Sequence, residues 1–173
     1  MGQRLTFGLF LALLAGLLAA GVWAGGAYNR LHGAERRAVA AEGRLAEESA
    51  RLEQAYERLV EGLGGASALP PAAPPAGAAA TPADLLAASL PPVLSALAAD
   101  PRLFASPELR SRASSVGAAR ERFTQARRAA VEAEGGYDAL RRSFPSAIVA
   151  SIAGFKARPP LAGARDGSRK PPL

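Results

Sequence analysis

The side chains that could carry out acid–base, nucleophilic or metal chemistry are few, and their spacing suits none of it. The only histidine, His32, stands beside Glu35, and the chain has no cysteine. One imidazole without thiolates does not make up the three or four ligands of a zinc site. Nor is there a histidine near Ser114-Ser115 to activate a hydroxyl. Gly25-Gly26 and Gly64-Gly65 lack the preceding strand and the Lys-Ser/Thr pair that turn a glycine loop into a phosphate cradle. The carboxylates follow helix flanks instead, as in the i,i+4 pairs Arg44/Glu48 and Glu47/Arg51, where they solubilise a surface. These residues imply no enzyme, no cofactor and no metal site.

The arginines are the other chemically active group. The formal net charge is +6, unevenly spread: residues 1–100 hold seven Arg against nine acids, and residues 101–173 hold fourteen Lys and Arg against six. A solvated helix face accounts for these charges with no further assumption. A sharper expectation is an interaction or lipid-docking surface made of Arg127, Arg128, Arg141, Arg142, Phe155, Lys156 and Arg158. The later members, with Arg165, Arg169 and Lys170, flank the apolar Ile148-Val149-Ile152-Phe155 patch. That combination would dock the distal end of the chain onto anionic lipid or an unknown protein partner. No aromatic platform accompanies the charge, so nucleic acid is not an expected partner.

The elements that must position these groups are helical. Aromatics are 6% of the residues, and 173 residues less an apolar leader and Pro-rich tracts leave one all-α domain with small apolar side chains. Residues 5–29 carry no formal charge. As a helix, residues 5–28 reach about 36 Å, enough to cross a hydrocarbon core of about 30 Å. Trp23 and Tyr28 sit where an interfacial aromatic belt would lie. Residues 1–28 therefore read as a transmembrane anchor contacting the bilayer through residues 5–28. The alternative is a cleaved signal peptide with Val22-Trp23-Ala24 as the small-x-small site. Arg30, Arg36, Arg37 and Arg44 outnumber Arg4 and lean the soluble part toward the cytoplasm, while the side of the membrane stays open.

Residues 29–63 form a first soluble helix with Leu31, Ala38, Leu45, Leu52 and Leu59 at intervals of seven. Residues 64–80 are a Pro/Ala/Gly connection that cannot sustain a helix. Thr81-Pro82-Ala83-Asp84 restarts one by cap logic, and Pro91-Pro92 is expected to kink or split it. From Ser106 a long arm carries Leu109, Val116, Phe123, Ala130, Tyr137 and Phe144 every seventh residue, a stripe that should pack on the preceding helices. Gly135-Gly136 marks a bend or a close helix contact, Pro145 is the stop, and residues 146–153 read as a short apolar helix. Residues 81–156 complete the helical bundle, and residues 157–173 form a disordered basic tail.

The arm resembles the C-terminal half of the LemA family of membrane-anchored helical proteins. Pro101 and Leu103 fall on that family's turn, Arg122 and Arg127-Arg128 on its arginine pairs, and Tyr137 on its last repeated tyrosine. Ser143-Phe144-Pro145 and Gly154-Phe155-Lys156 match its ending, and Tyr28-Asn29-Arg30-Leu31 its juxtamembrane Tyr-Asn-x-Leu. Arg51 to Arg58 departs from the family's Arg-Arg-x-x-Leu-Ile-Pro-Asn, Ala130-Val131 and Asp138 replace its later Tyr-Asn and Asn, and Pro91-Pro92 interrupts a helix it keeps whole. The resemblance identifies a divergent member. It implies an N-terminal transmembrane helix followed by an elongated antiparallel helical bundle, and no transferable activity.

The expected function is a single-pass, membrane-anchored scaffold or interaction module in the bacterial cytoplasmic membrane, with self-association left open. The runner-up is an exported helical protein freed by signal cleavage, acting as a periplasmic binding or chaperone-like factor.

Overall fold

The computed structural model describes residues 2–64, 81–101, 106–159 and 161. Among them there are four helices and no strand: α1 (Gly2–Gly62), α2 (Pro82–Ala98), α3 (Pro107–Arg142) and α4 (Ser146–Ala153). The all-α expectation holds. One helix, α1, is long and apolar enough near its N-terminus to cross a membrane. It runs without interruption through the boundary expected at residue 28, so the expected anchor and the expected first soluble helix belong to one continuous helix. Most of residues 64–80 and of the tail lie outside the described residues.

The chain divides into two compact units: Met1–Ala38 with Ala133–Arg158, and Val39–Glu132 with Pro159–Leu173. This division differs from the expected one, because α1 and α3 each contribute to both units. A long helix with a continuous stripe can serve two separate packing partners along its length.

In the second unit the seam residues Leu52 and Leu59 of α1, Ala83, Ala87 and Leu90 of α2, and Val116, Ala119 and Phe123 of α3 form one buried core. The arm's seven-residue stripe contributes Val116 and Phe123 to it, and Ala130 further along the stripe is also buried. Polar contacts fix the helix directions. Arg112 of α3 donates to the Arg58 carbonyl near the end of α1 at 2.8 Å, while Arg120 reaches Ala87 and Arg127 reaches Asp84 on α2. Helix α3 therefore runs antiparallel to α2. Phe123 and Arg127 share a groove with Leu45 of α1, so α3 is antiparallel to α1 as well, which leaves α1 and α2 parallel. The nineteen residues between Gly62 and Pro82 are long enough to return along one helix length. Where α1 meets α3, a Cβ at Gly62 would lie 2.7 Å from the Arg112 Nη1 and 2.9 Å from the Leu109 Cδ2, so a larger residue would have to displace the ends of those two side chains.

Helix α2 begins as its sequence directs, with Thr81 and Asp84 closing a reciprocal capping box. Pro91-Pro92 does not split the helix, and α2 continues to Ala98. Both prolines are exposed, which keeps their rings out of the core. Pro91 has no N–H to give the Ala87 carbonyl four residues back. The Arg120 Nε supplies the missing donor at 2.8 Å.

In the first unit the buried face of α1 is Ala27, Leu31, Ala34 and Ala38. Helix α3 passes unbroken through Gly135-Gly136, where an added Cβ would meet nothing among the described residues, so the close contact expected there is not present. It ends at Arg142. A turn through Ser143-Phe144-Pro145, with the Phe144–Pro145 peptide bond cis, reverses the chain into α4. Helix α4 matches the expected short apolar helix and ends on Gly154 in the left-handed conformation at φ 76°.

Candidate functional site

Among the described residues no group of three His, Asp or Glu side chains converges as a metal ion requires. His32 Nδ1 lies 3.6 Å from the Glu35 carboxylate on the same helix face, and the His32 ring stacks beside Tyr28 at 6.0 Å. The second unit has a groove of about 300 Å³ between α1, the start of α2 and α3. Leu45, Ala83, Phe123 and Leu161 line its apolar part, and Glu42, Glu53, Asp84 and Arg127 its polar part. No nucleophile paired with a base faces it.

The seven candidate docking residues are not brought together. Arg127 and Arg128 belong to the second unit, and the other five belong to the first. Arg127 is turned to structural work: its Nε sits 3.1 Å from the Asp84 carboxylate, whose side chain is 9% exposed. Asp84 thus serves both the α2 cap and the ion pair. Arg112, Arg120 and Arg127, at spacings of eight and seven, form one inward-facing row on α3. Periodicity points toward this row, since Arg112 shares the phase of Ala119 and Ala126 and Arg120 and Arg127 each follow one of them by a single residue, but a count of charges treats it as solvated surface. Arg128 is exposed. Arg141 and Arg142 both pair with Asp138 within α3.

The remaining candidates meet at the turn between α3 and α4. The Tyr137 hydroxyl donates to the Lys156 carbonyl at 2.9 Å and fastens the chain leaving α4 to α3. Tyr137 is fully buried, and burial pushes its phenol above the ordinary range. The Glu35 carboxylate adds to that rise, and Arg141 and Arg158 partly offset it. Phe155 packs edge-on against Tyr28 of α1, with ring centroids 5.6 Å apart. Phe144 approaches Trp23 of α1 at 6.3 Å. The turn is therefore held beside α1 at the edge of its apolar segment. The sequence places this patch at the distal end of the protein, and the structure corrects that: it lies next to the N-terminal apolar helix, because α3 runs back along α1.

Phe144 departs from the stripe it was expected to join. It is 79% exposed just before α4, and Ile148 and Ile152, four apart on one face of α4, are exposed as well. The heptad phase holds only while the helix continues, and α3 stops at Arg142, two residues earlier. The opposite face of α4 buries Ser146 and Ala150, small residues that let the helix sit close to its neighbours. The first unit that contains this segment holds eight Lys and Arg against three acids.

Along α1 itself the exposure pattern changes at the same place. Phe10, Leu11, Leu13, Leu14, Leu17, Leu18 and Val22 are all exposed, on every side of the helix. From Ala27 onward one face is buried and the rest is polar.

No family model, no curated protein and no solved structure matches this chain. What the site can do is read from its own geometry.

Proposed function

We propose that the chain is a single-pass, membrane-anchored helical protein of the LemA type, acting as a scaffold or interaction module without catalysis. The carrying observation is the switch along α1 between Trp23 and Ala27. Below it an apolar helix is exposed on all sides, and above it a one-sided stripe is packed by the protein's own helices. An apolar helix surface of that extent in water would be strongly unfavourable at about 25 cal/mol per Å², and lipid is the medium that removes the cost. Trp23 marks the boundary, as an interfacial ring does. The continuity of α1 through Val22-Trp23-Ala24 supports retention of the segment over signal cleavage. The family reading rests on the sequence motifs alone, of which Tyr28, Tyr137 and Phe155 also make contacts within the first unit. The destination is the bacterial cytoplasmic membrane, and the second unit's packed helices are the part available to partners.

Intact-mass measurement of protein from urea-washed membranes tests this. The expected result is a membrane-retained chain still carrying Met1 to Ala24. A soluble chain beginning near Gly25 would establish the exported, periplasmic alternative instead.

A further inference from the structure

Among the described residues the segment from Phe144 to Ile152 keeps Phe144, Ile148 and Ile152 exposed. Two ring contacts hold it, Phe144 on Trp23 and Phe155 on Tyr28, one at each end of α4. Those α1 residues are five apart, so the rings at the two ends of the segment meet a band of α1 about 7.5 Å deep. The interfacial layer of a bilayer, between hydrocarbon and bulk water, is of the same depth, about 5–8 Å on each side. The band begins at Trp23, where the all-round apolar surface of α1 ends. The face of α4 is thus continuous with the surface expected to meet lipid. Its flanks carry the complementary charge: Arg141 and Arg142 before the turn, Lys156 and Arg158 after α4.

We infer that the turn and α4 form a second membrane contact, in which Phe144, Ile148 and Ile152 insert into the interface of the leaflet where α1 emerges, held there by the flanking basic residues on anionic headgroups. This rests on the anchor reading above and adds to it. The α3–α4 hairpin becomes a shallow wedge in the leaflet, fixing how α1 and α3 leave the bilayer. A lipid occupant is favoured over a protein by the wedge's continuity with α1 and by its position level with Trp23.

The test uses the full-length chain in vesicles of phosphatidylcholine and phosphatidylglycerol, with brominated lipid as a quencher. Trp23 is the only native tryptophan, so Ile152→Trp in a Trp23→Phe background reports the wedge alone, and Phe144→Trp in the same background reports its other end. Ile152 is 82% exposed, so the replacement does not disturb the core. Val39→Trp, sixteen residues beyond Trp23 on α1 and exposed, is the water-side reference. The wedge predicts that tryptophan at 152 and at 144 is quenched by brominated lipid and shielded from aqueous acrylamide, and that tryptophan at 39 is neither. Lipid quenching should weaken when phosphatidylglycerol is omitted, and indifference to it would overturn the electrostatic part. If tryptophan 152 behaves like tryptophan 39 while native Trp23 is lipid-quenched, the wedge is wrong and the anchor stands. Shielding from acrylamide without lipid quenching would mean a protein occupant, and would also overturn the wedge. Failure of lipid to quench Trp23 would remove the anchor itself.

Discussion

The Tyr137 hydroxyl joins α3 to the chain leaving α4 through its bond to the Lys156 carbonyl, and its burial makes that bond sensitive to alkali. A phenol whose pKa is raised by burial favours the protonated form in the fold more than in the unfolded chain, where it titrates near about 10. Its contribution to stability is therefore complete below about pH 10 and is lost as pH rises above that value toward the higher folded pKa. The phenolate also has no proton to donate. Thermal melts followed by circular dichroism in detergent should show a midpoint that falls above about pH 10 for the natural chain. The Tyr137→Phe variant should begin about 0.5–1.5 kcal/mol less stable and lose less over the same range. Equal alkaline losses in the two proteins would show that other groups set the limit. At the same scale, Arg127 and Asp84 show why a charge tally misleads. Both read as surface residues, and a tertiary contact across 43 sequence positions turns them inward.

Among the elements, α2 is the one whose behaviour the local sequence misstates. Two consecutive prolines in a helix interior would ordinarily cost about 3 kcal/mol or more. In α2 both rings face outward, and the carbonyl that Pro91 leaves without a donor is met by Arg120. Arg120→Met should destabilise the fold by about 1–3 kcal/mol by leaving the Ala87 carbonyl unmet. In a Pro91→Ala background, where a backbone N–H is restored, the same substitution should cost clearly less, as urea unfolding of the four proteins would reveal. An unchanged cost would mean that Arg120 contributes through packing alone. Helix α3 offers the converse case. It is continuous through Gly135-Gly136 with open space around both, so Gly135→Ala should stabilise by about 0.5–1 kcal/mol, seen as a rise in thermal midpoint. A loss of stability would indicate that the pair serves a bend or contact after all. Most of the seams of α1 and α3 were legible from seven-residue spacing: Leu31, Ala38, Leu52, Leu59, Val116, Phe123, Ala130 and Tyr137 are buried, and Leu45 and Leu109 half-buried. Phe144 was not legible, because periodicity carries no information past the residue at which a helix stops.

For the molecule as a whole, the sequence by itself determined a helical chain with one apolar span near its N-terminus, the cap at Thr81, the stop before Pro145 and the short apolar helix after it. These are local properties: hydrophobic periodicity, the proline's missing donor and the side-chain oxygen of a cap act within a turn or two of the chain. The resemblance to the LemA family and the scaffold function remain proposals that the intact-mass and quenching experiments address. Only the tertiary structure decided that α1 and α2 run parallel, that the arginine row of α3 faces inward, and that α1 and α3 each serve two units. It alone set the turn at Phe144 beside Trp23. The reason is that each of these depends on which helix lies against which. Small apolar residues at a period of seven permit several such pairings of similar burial, and long-range contacts such as Arg120 to Ala87 and Phe155 to Tyr28 select one of them.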